Sequence, residues 1–479
     1  MKLKHINLYN FRGIQELQLS LHPRLTVLVA ENGGGKTTIL DGIAKGLAPI
    51  MRFLSSPEQR LSTAGMGLED SDFRLLNDRD GPADRSAQSS DYTRIELTAT
   101  NGMRWDVHRS KSGRQPPEKT GQTELKRYCM EKLHQIDAGQ PTMLPVFAYY
   151  GTQRGNIGIP ERLRASTTNF EYPTAALFEA LKSTGDFKEA VKWFFAEESN
   201  ELRINKGRPV EEFSLSPALE AVRASVTSVL GEAYTNPHFN KRNKFVVQPK
   251  EGSPELQVAQ LSMGYQSMLA LAMDYARRLA VGNPHLYHSD VPGEEFKHAV
   301  HEFGGAYNST QERLHGFGAA PSIILVDEID LHLHPEWQQR VLDDLMATFP
   351  NAQFIVSTHS PQVLSAVRNE SIRTLSLDAD GSIRVHTPEL QTRGVENSEI
   401  LAKVMGVNPT PPVEEAQWLK DYVALIETDQ SESPQANELR QRLENHFGTH
   451  HPLLTDCDRL IRFQRFKLKR GTETHEGNA

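Results

Sequence analysis

Three consecutive glycines set between an apolar strand and an amphipathic helix constrain this chain more than any other feature. Residues 25–29, Leu-Thr-Val-Leu-Val, read as a buried strand and run directly into Ala30-Glu31-Asn32-Gly33-Gly34-Gly35-Lys36-Thr37-Thr38. Beyond them Ile39, Leu40, Ile43, Ala44 and Leu47 fall on one helical face. Such a turn suits phosphate. Gly33, Gly34 and Gly35 let backbone N–H groups point inward, and the helix N-terminus adds its partial positive charge. Lys36 contributes a point charge for the outer phosphates and Thr37 a hydroxyl for Mg²⁺. Ala30 stands where the usual G-x-x-x-x-G-K-T string begins with glycine, and a residue that small is expected to tolerate the turn. The expected cofactors are ATP and Mg²⁺.

Three further segments follow in order. Gln260-Leu261-Ser262-Met263-Gly264-Tyr265-Gln266-Ser267 places a serine suited to capping ahead of a glycine and the helical run Met268 to Met273. Ile323-Ile324-Leu325-Val326 is an apolar strand ending in Asp327 and Glu328, and Phe354-Ile355-Val356-Ser357-Thr358 is another, ending in His359. Near-continuous apolar strands suit a parallel sheet covered on both faces, and such sheets bind ligands beyond the C-terminal ends of their strands. Phosphoryl transfer to water needs positioning and neutralisation of spreading negative charge. Thr37 and Asp327 suit Mg²⁺, a hard cation that takes few protein oxygens. Glu328 is the candidate for polarising the attacking water, and His359 for a hydrogen bond to the γ-phosphate.

These motifs, in this order, resemble the ATP-binding-cassette ATPases of the RecF/SMC type over about residues 1 to 375. The resemblance implies an α/β fold, a P-loop ABC ATPase head with a mixed sheet and a helical subdomain. The opening Ile6-Asn7-Leu8-Tyr9-Asn10-Phe11-Arg12-Gly13 is similar to that type's first strand and implies that Arg12 lies near the phosphates. Asn32 is similar to the same branch, and Thr38 joins it among the nucleotide contacts. Leu261-Ser262-Met263-Gly264 resembles the signature motif. It implies two heads sandwiching two ATP molecules, with Ser262 and Gly264 of one protomer on the γ-phosphate held by the other. Gln153, in Tyr149-Tyr150-Gly151-Thr152-Gln153-Arg154, resembles the glutamine that reaches the metal, although a polar turn residue would look the same. The implied metal set is Thr37, Gln153 and Asp327.

At 479 residues, 38% hydrophobic and 24% charged, the chain can bury large cores. Cys129 and Cys457 lie far apart without metal spacing, as in a reducing cytoplasm. No apolar run approaches the roughly 18 residues of a membrane helix and no signal-peptide core is present, so a cytoplasmic location away from membranes is expected. A net charge of −8 gives no global case for nucleic-acid binding. Any such contact would be a local patch or come through a complex.

The head is expected over residues 1–387 and a mainly helical C-terminal region, suited to partner docking, over 388–479. Segments 77–91 and 109–122 read as mobile loops, and Tyr92 to Arg109 as a hairpin turning at Asn101-Gly102. A helical subdomain is expected at about 173–235, with Pro173 to Ala196 patterned through Ala176, Leu177, Leu181, Phe187, Val191 and Phe194. No long heptad arm is present. An insertion at about 281–321 carries His285, His288, His298 and His301, which can bind Zn²⁺ at that spacing but read better as a solvated partner-contact loop.

Asp378-Ala379-Asp380 resembles the D-x-D of a fused Toprim nuclease, yet its flanks read better as a β-hairpin with an Asp-Gly turn. His446, His450 and His451 read as surface histidines. Residues 394–407, the helices after them and the basic end at Lys467-Leu468-Lys469-Arg470 resemble the PtuA ATPases of the Septu antiphage system, which also accompany some retrons. That resemblance implies a homodimer or larger homo-oligomer controlling a separate HNH nuclease, with a reverse transcriptase and non-coding RNA as further retron partners. The competing functions are a RecF-like DNA repair or recombination ATPase, a slow structural clamp, and an ATPase with a fused Toprim nuclease.

Overall fold

The computed structural model describes every residue except 77–87, 112–115, 156–167, 185–186, 232, 253, 288–319, 378–381 and 477–479. The chain divides into two units, Met1–Ile400 and Leu401–Ala479.

In the first unit, strands Val146–Tyr150, Ser322–Val326, Ala352–Ser357 and Leu25–Val29 are buried at every position and pair in parallel in that order. Burial on both faces is what their uninterrupted apolar sequences require. Ile372–Leu377 adds in parallel beside Leu25–Val29, and Ile383–His386 pairs antiparallel to it, so the six-stranded sheet is mixed. Those last two strands form the expected hairpin. The Asp378 to Gly381 turn lies outside the described residues, as do His288, His298 and His301 of the insertion.

Helix Lys36–Phe53 packs on this sheet and on a second, antiparallel one ordered Ile14–Ser20, Leu3–Phe11, Tyr92–Ala99, Arg104–Ser110. Tyr92–Ala99 and Arg104–Ser110 are the hairpin anticipated around Asn101-Gly102. The helix approaches closely because Gly46 has no side chain: a Cβ there would lie 2.6 Å from Leu97 Cδ1, and Trp105 Nε1 donates to the Gly46 carbonyl at 2.7 Å. Gln353 ties the sheets together. Its buried amide accepts from the Leu3 N–H at 2.7 Å and donates to the Leu3 and His22 carbonyls at 2.7 and 3.0 Å.

The helical pattern expected from Pro173 to Ala196 divides into two elements. Pro173–Leu177 is a 3₁₀ turn and the α-helix runs Lys188–Ile204, because Ser183-Thr184-Gly185 between them favours a break. Helix Pro217–Val229 follows, then a three-stranded antiparallel sheet of Tyr234–Phe239, Phe245–Pro249 and Leu256–Gln257 that the sequence pattern did not suggest. Helix Met263–Gly282 is buried from Ser267 to its end. Asp274 inside it is satisfied by Arg277 at 2.6 Å, Arg278 at 2.7 Å and the Tyr150 hydroxyl at 2.9 Å, as a buried charge must be.

Residues 388–400 are tied to the first unit. Asn369 Nδ2 donates to the Pro388 carbonyl at 2.9 Å, the Gly394 N–H to the Ser365 carbonyl at 2.8 Å, and Ile400 is buried. The division therefore falls after Ile400, later than the expected 387. The second unit centres on helices Glu414–Glu427, Pro434–Phe447 and Pro452–Glu476, packed through Tyr422, Ile426, Leu439, Leu443, Leu454 and Cys457. Ser433 caps the second of these and Pro434 opens it. Among the described residues no helix is long and apolar enough to cross a membrane, and no cluster of His, Cys, Asp or Glu is arranged to hold a metal by itself.

Candidate nucleotide site

Gly33 and Gly35 have φ of 78° and 89°, left-handed values that suit glycine. Gly34 is required for a different reason. A Cβ there would lie 2.6 Å from the Cβ of Ala30, so the alanine fits this loop only because position 34 carries no side chain. Lys36, 6% exposed, folds into the loop and donates to the carbonyls of Ala30 at 2.9 Å and Glu31 at 3.2 Å. Burial lowers its pKa, against the attraction of Asp327, Glu328 and Asp330.

The carboxylates that attract Lys36 stand just beyond the C-terminal end of strand Ser322–Val326. Thr37 Oγ1 donates to Asp327 Oδ2 at 2.8 Å. Ser357 Oγ donates to Asp327 Oδ1 and accepts from the Glu328 N–H at 2.8 Å. Thr358 Oγ1 donates to Asp330 Oδ1, which also receives the His359 N–H at 3.4 Å. Glu328 has φ of 50°, a costly conformation for a residue with a side chain, and leaves the strand direction there. Magnesium takes oxygens at about 2.0–2.1 Å in an octahedron, which sets neighbouring ligands about 2.9 Å apart. The Thr37 and Asp327 oxygens, 2.8 Å apart, have that spacing and the right hardness, so these residues fit the ion.

Residues 5–225 match the family described as "AAA domain", and residues 158–365 the family described as "AAA domain, putative AbiEii toxin, Type IV TA system". "Retron Vc95 probable ATPase" of Vibrio cholerae is 25% identical across 93% of this chain and 88% of its own length. "Retron Ec83 probable ATPase" of Escherichia coli is 26% identical across 94% and 84%. This chain is an ATPase, and parts of it match two AAA-domain families. Over a shorter stretch, 18% of the ATPase and 23% of the relative, it is 38% identical to "Septu protein PtuA" of Bacillus thuringiensis. The SMC head domain of Thermotoga maritima aligns with 81% of the ATPase and all of that chain, at 13% identity and a TM-score of 0.37.

The remaining expected residues of the ATPase take up different surroundings. Ser262 occupies the N-cap position of helix Met263–Gly282, but its hydroxyl makes no capping hydrogen bond, contrary to the role expected from sequence. Ser262 and Met263 are exposed. Gly264 is packed against the loop after Glu328: a Cβ on it would lie 2.6 Å from the His332 carbonyl oxygen. Tyr265 continues that contact edge-on to Trp337, with ring centroids 4.4 Å apart. Among the described hydrogen bonds, none joins Ser262 or Gly264 to the glycine loop of the same protomer.

Arg12 sits in the two-residue turn between strands Leu3–Phe11 and Ile14–Ser20, with φ of 51°. Its guanidinium donates to Asp41 Oδ2 at 2.6 Å and Asp72 Oδ1 at 3.0 Å. Asp41 lies one helical turn beyond Thr37, so Arg12 stands beside the start of the nucleotide helix through a carboxylate. Burial alone would raise the pKa of Asp72, but Lys45, the Glu69 N–H and Arg12 outweigh it and lower the value. Gln153 is exposed on the 3₁₀ turn Thr152–Gly155, with no described hydrogen bond to the Thr37–Asp327 pair.

Two participants escaped the sequence reading. Ser357 bridges Asp327 and Glu328, and nothing about a serine ending a buried strand distinguishes that role from an ordinary strand terminus. Arg154 is 2% exposed and donates to the carbonyls of Gly151, at 3.1 Å, Asp327 and Glu328. Burial lowers its pKa to about 10 against the pull of Asp330, Asp327 and Glu328. The available signal was a cation placed directly after Gln153 at the end of a buried strand.

Proposed function

We propose that this chain is the ATP-hydrolysing subunit of an antiphage defence complex. It acts in the cytoplasm as a homodimer or larger homo-oligomer and controls a separate HNH nuclease. The observation that carries the ATP-hydrolysing part of the reading is the Thr37–Asp327 contact at 2.8 Å, which joins the glycine loop to the carboxylate strand in one site. There the backbone of Gly33, Gly34 and Gly35 and the Lys36 ammonium hold the outer phosphates, with Asn32, Thr38 and Arg12 as flanking contacts. Thr37, Asp327 and Gln153 hold Mg²⁺, which when bound neutralises charge on those phosphates. Glu328 orients and polarises water, and His359 hydrogen-bonds the γ-phosphate. Ser262 and Gly264 reach the nucleotide of a partner protomer, a role compatible with the uncommitted Ser262 hydroxyl.

Similarity to two retron ATPases over nearly the whole chain supports the defence setting. A reverse transcriptase and non-coding RNA are then further partners, and nucleic acid is met through the complex. The last helix offers a docking surface for the nuclease. Phe463 and Phe466 are exposed between Arg459, Arg462, Arg465 and Lys467, while Leu454 and Cys457 serve the core of the second unit. Expressed with its genomic neighbours, the wild-type chain should protect cells in a phage plaque assay, and Lys36→Ala should remove protection at equal protein level. Full protection by Lys36→Ala would overturn the reading.

A further inference from the structure

The geometry points to Arg154 as a positioning residue for hydrolysis, one that fixes the turn presenting Glu328 by holding the backbone carbonyls of Asp327 and Glu328. This rests on the reading of Glu328 as the residue that polarises water. Glu328 adopts φ of 50°. For a residue with a Cβ this conformation is costly and persists only where the surroundings over-determine it. The surroundings here are identifiable. The Asp327 N–H donates to the Tyr150 carbonyl at 2.9 Å, the Glu328 N–H to Ser357 Oγ at 2.8 Å, and the Leu331 N–H to the Glu328 carbonyl at 2.9 Å. Arg154 supplies the rest, with Nη1 on the Asp327 carbonyl and Nη2 on the Glu328 carbonyl.

Two parallel donors at fixed separation are what a planar guanidinium provides and an ammonium does not. No described hydrogen bond takes Arg154 to either carboxylate, so it acts on the peptide backbone and leaves the reacting oxygens free. Its anchor on the other side is rigid. Nη1 also donates to the Gly151 carbonyl, and the Gly151 N–H donates to the Ser183 carbonyl at 3.1 Å. Glycine is required there, because a Cβ at 151 would lie 2.5 Å from the Ser183 oxygen. Arg154 thus connects the turn that bears Gln153 to the backbone that bears Glu328. The consequence is that a shift of that turn is felt at the hydrolytic carboxylate.

The test uses the full chain carrying Arg154→Lys, Arg154→Ala, Glu328→Gln or Arg154→Lys with Glu328→Gln. Mg²⁺-dependent phosphate release and equilibrium binding of a fluorescent ATP analogue are measured for each. Arg154→Lys should lower kcat between about tenfold and a hundredfold, the scale of misplacing a reacting group, while the analogue Kd stays within about twofold. In the Glu328→Gln background the same change should cost little more, because it acts through the side chain already removed. Arg154→Ala should match or exceed the lysine variant; if it does not fold, Arg154→Lys decides alone. Wild-type kcat in Arg154→Lys, or a full additional loss in the double variant, would overturn the proposal. Normal turnover by Glu328→Gln would instead overturn the underlying reading of Glu328.

Discussion

Lys36 faces the carboxylate cluster to which Glu328 belongs, and the two residues separate binding from turnover. The Lys36 ammonium is buried in the glycine loop on two carbonyls, so Lys36→Ala removes the phosphate-facing charge, takes the Lys36 donor from the Ala30 carbonyl and leaves the Glu31 carbonyl with the Gly34 N–H alone. Losing such partners costs about 1–3 kcal/mol, a local penalty that a head of this size should survive. The expected result is a folded protein that no longer binds ATP, checked by circular dichroism beside titration with a fluorescent ATP analogue. Unchanged affinity would remove Lys36 from the site. Glu328→Gln keeps side-chain shape and removes the base. It should bind ATP and release phosphate at least about a hundredfold more slowly in a steady-state assay, and normal turnover would send that role to another residue.

The elements meet where glycine lets backbones approach. A mid-helix glycine ordinarily costs up to about 1 kcal/mol relative to alanine, so Gly46→Ala would stabilise an exposed helix. Helix Lys36–Phe53 is different, because the new Cβ would meet Leu97 Cδ1 at 2.6 Å, Leu97 Cγ at 2.9 Å and Ile95 Cγ2 at 3.2 Å. Leu97 and Ile95 are both fully buried on the antiparallel sheet. Overpacking of about 1–3 kcal/mol outweighs the gain in helix propensity. Gly46→Ala should therefore lower the thermal midpoint in a calorimetric scan, and a raised midpoint would mean that the sheet moves aside. Much of this level was legible in sequence. The buried strands and the nucleotide helix follow from local periodicity, which adjacent residues carry by themselves. The break before Lys188 and the small sheet after Val229 were not legible, because short, loosely patterned segments take their structure from the surfaces they pack on.

On the scale of the whole molecule, the exposed Ser262 and Met263 at the start of a buried helix suit a composite site formed between two heads. Ser262→Arg should block head closure while each protomer still binds ATP at its own glycine loop. Light scattering of Glu328→Gln with ATP, with and without Ser262→Arg, measures this. A strict monomer for Glu328→Gln at every concentration would defeat the shared-site reading. The sequence by itself determined which segments can bind phosphate, which strands are buried and which carboxylates end them, because a few neighbouring side chains set each of those properties. Only the tertiary structure decided which of them meet. Thr37 and Asp327 are 290 positions apart and hydrogen-bond because parallel register brings the strand ends level. Arg12 turned to two carboxylates, Ser262 gave up its cap, and Arg154 reached the backbone of Glu328 from a turn 173 positions away from Asp327. Partners at such separations are fixed by how sheets and turns stack, and local sequence does not encode that geometry.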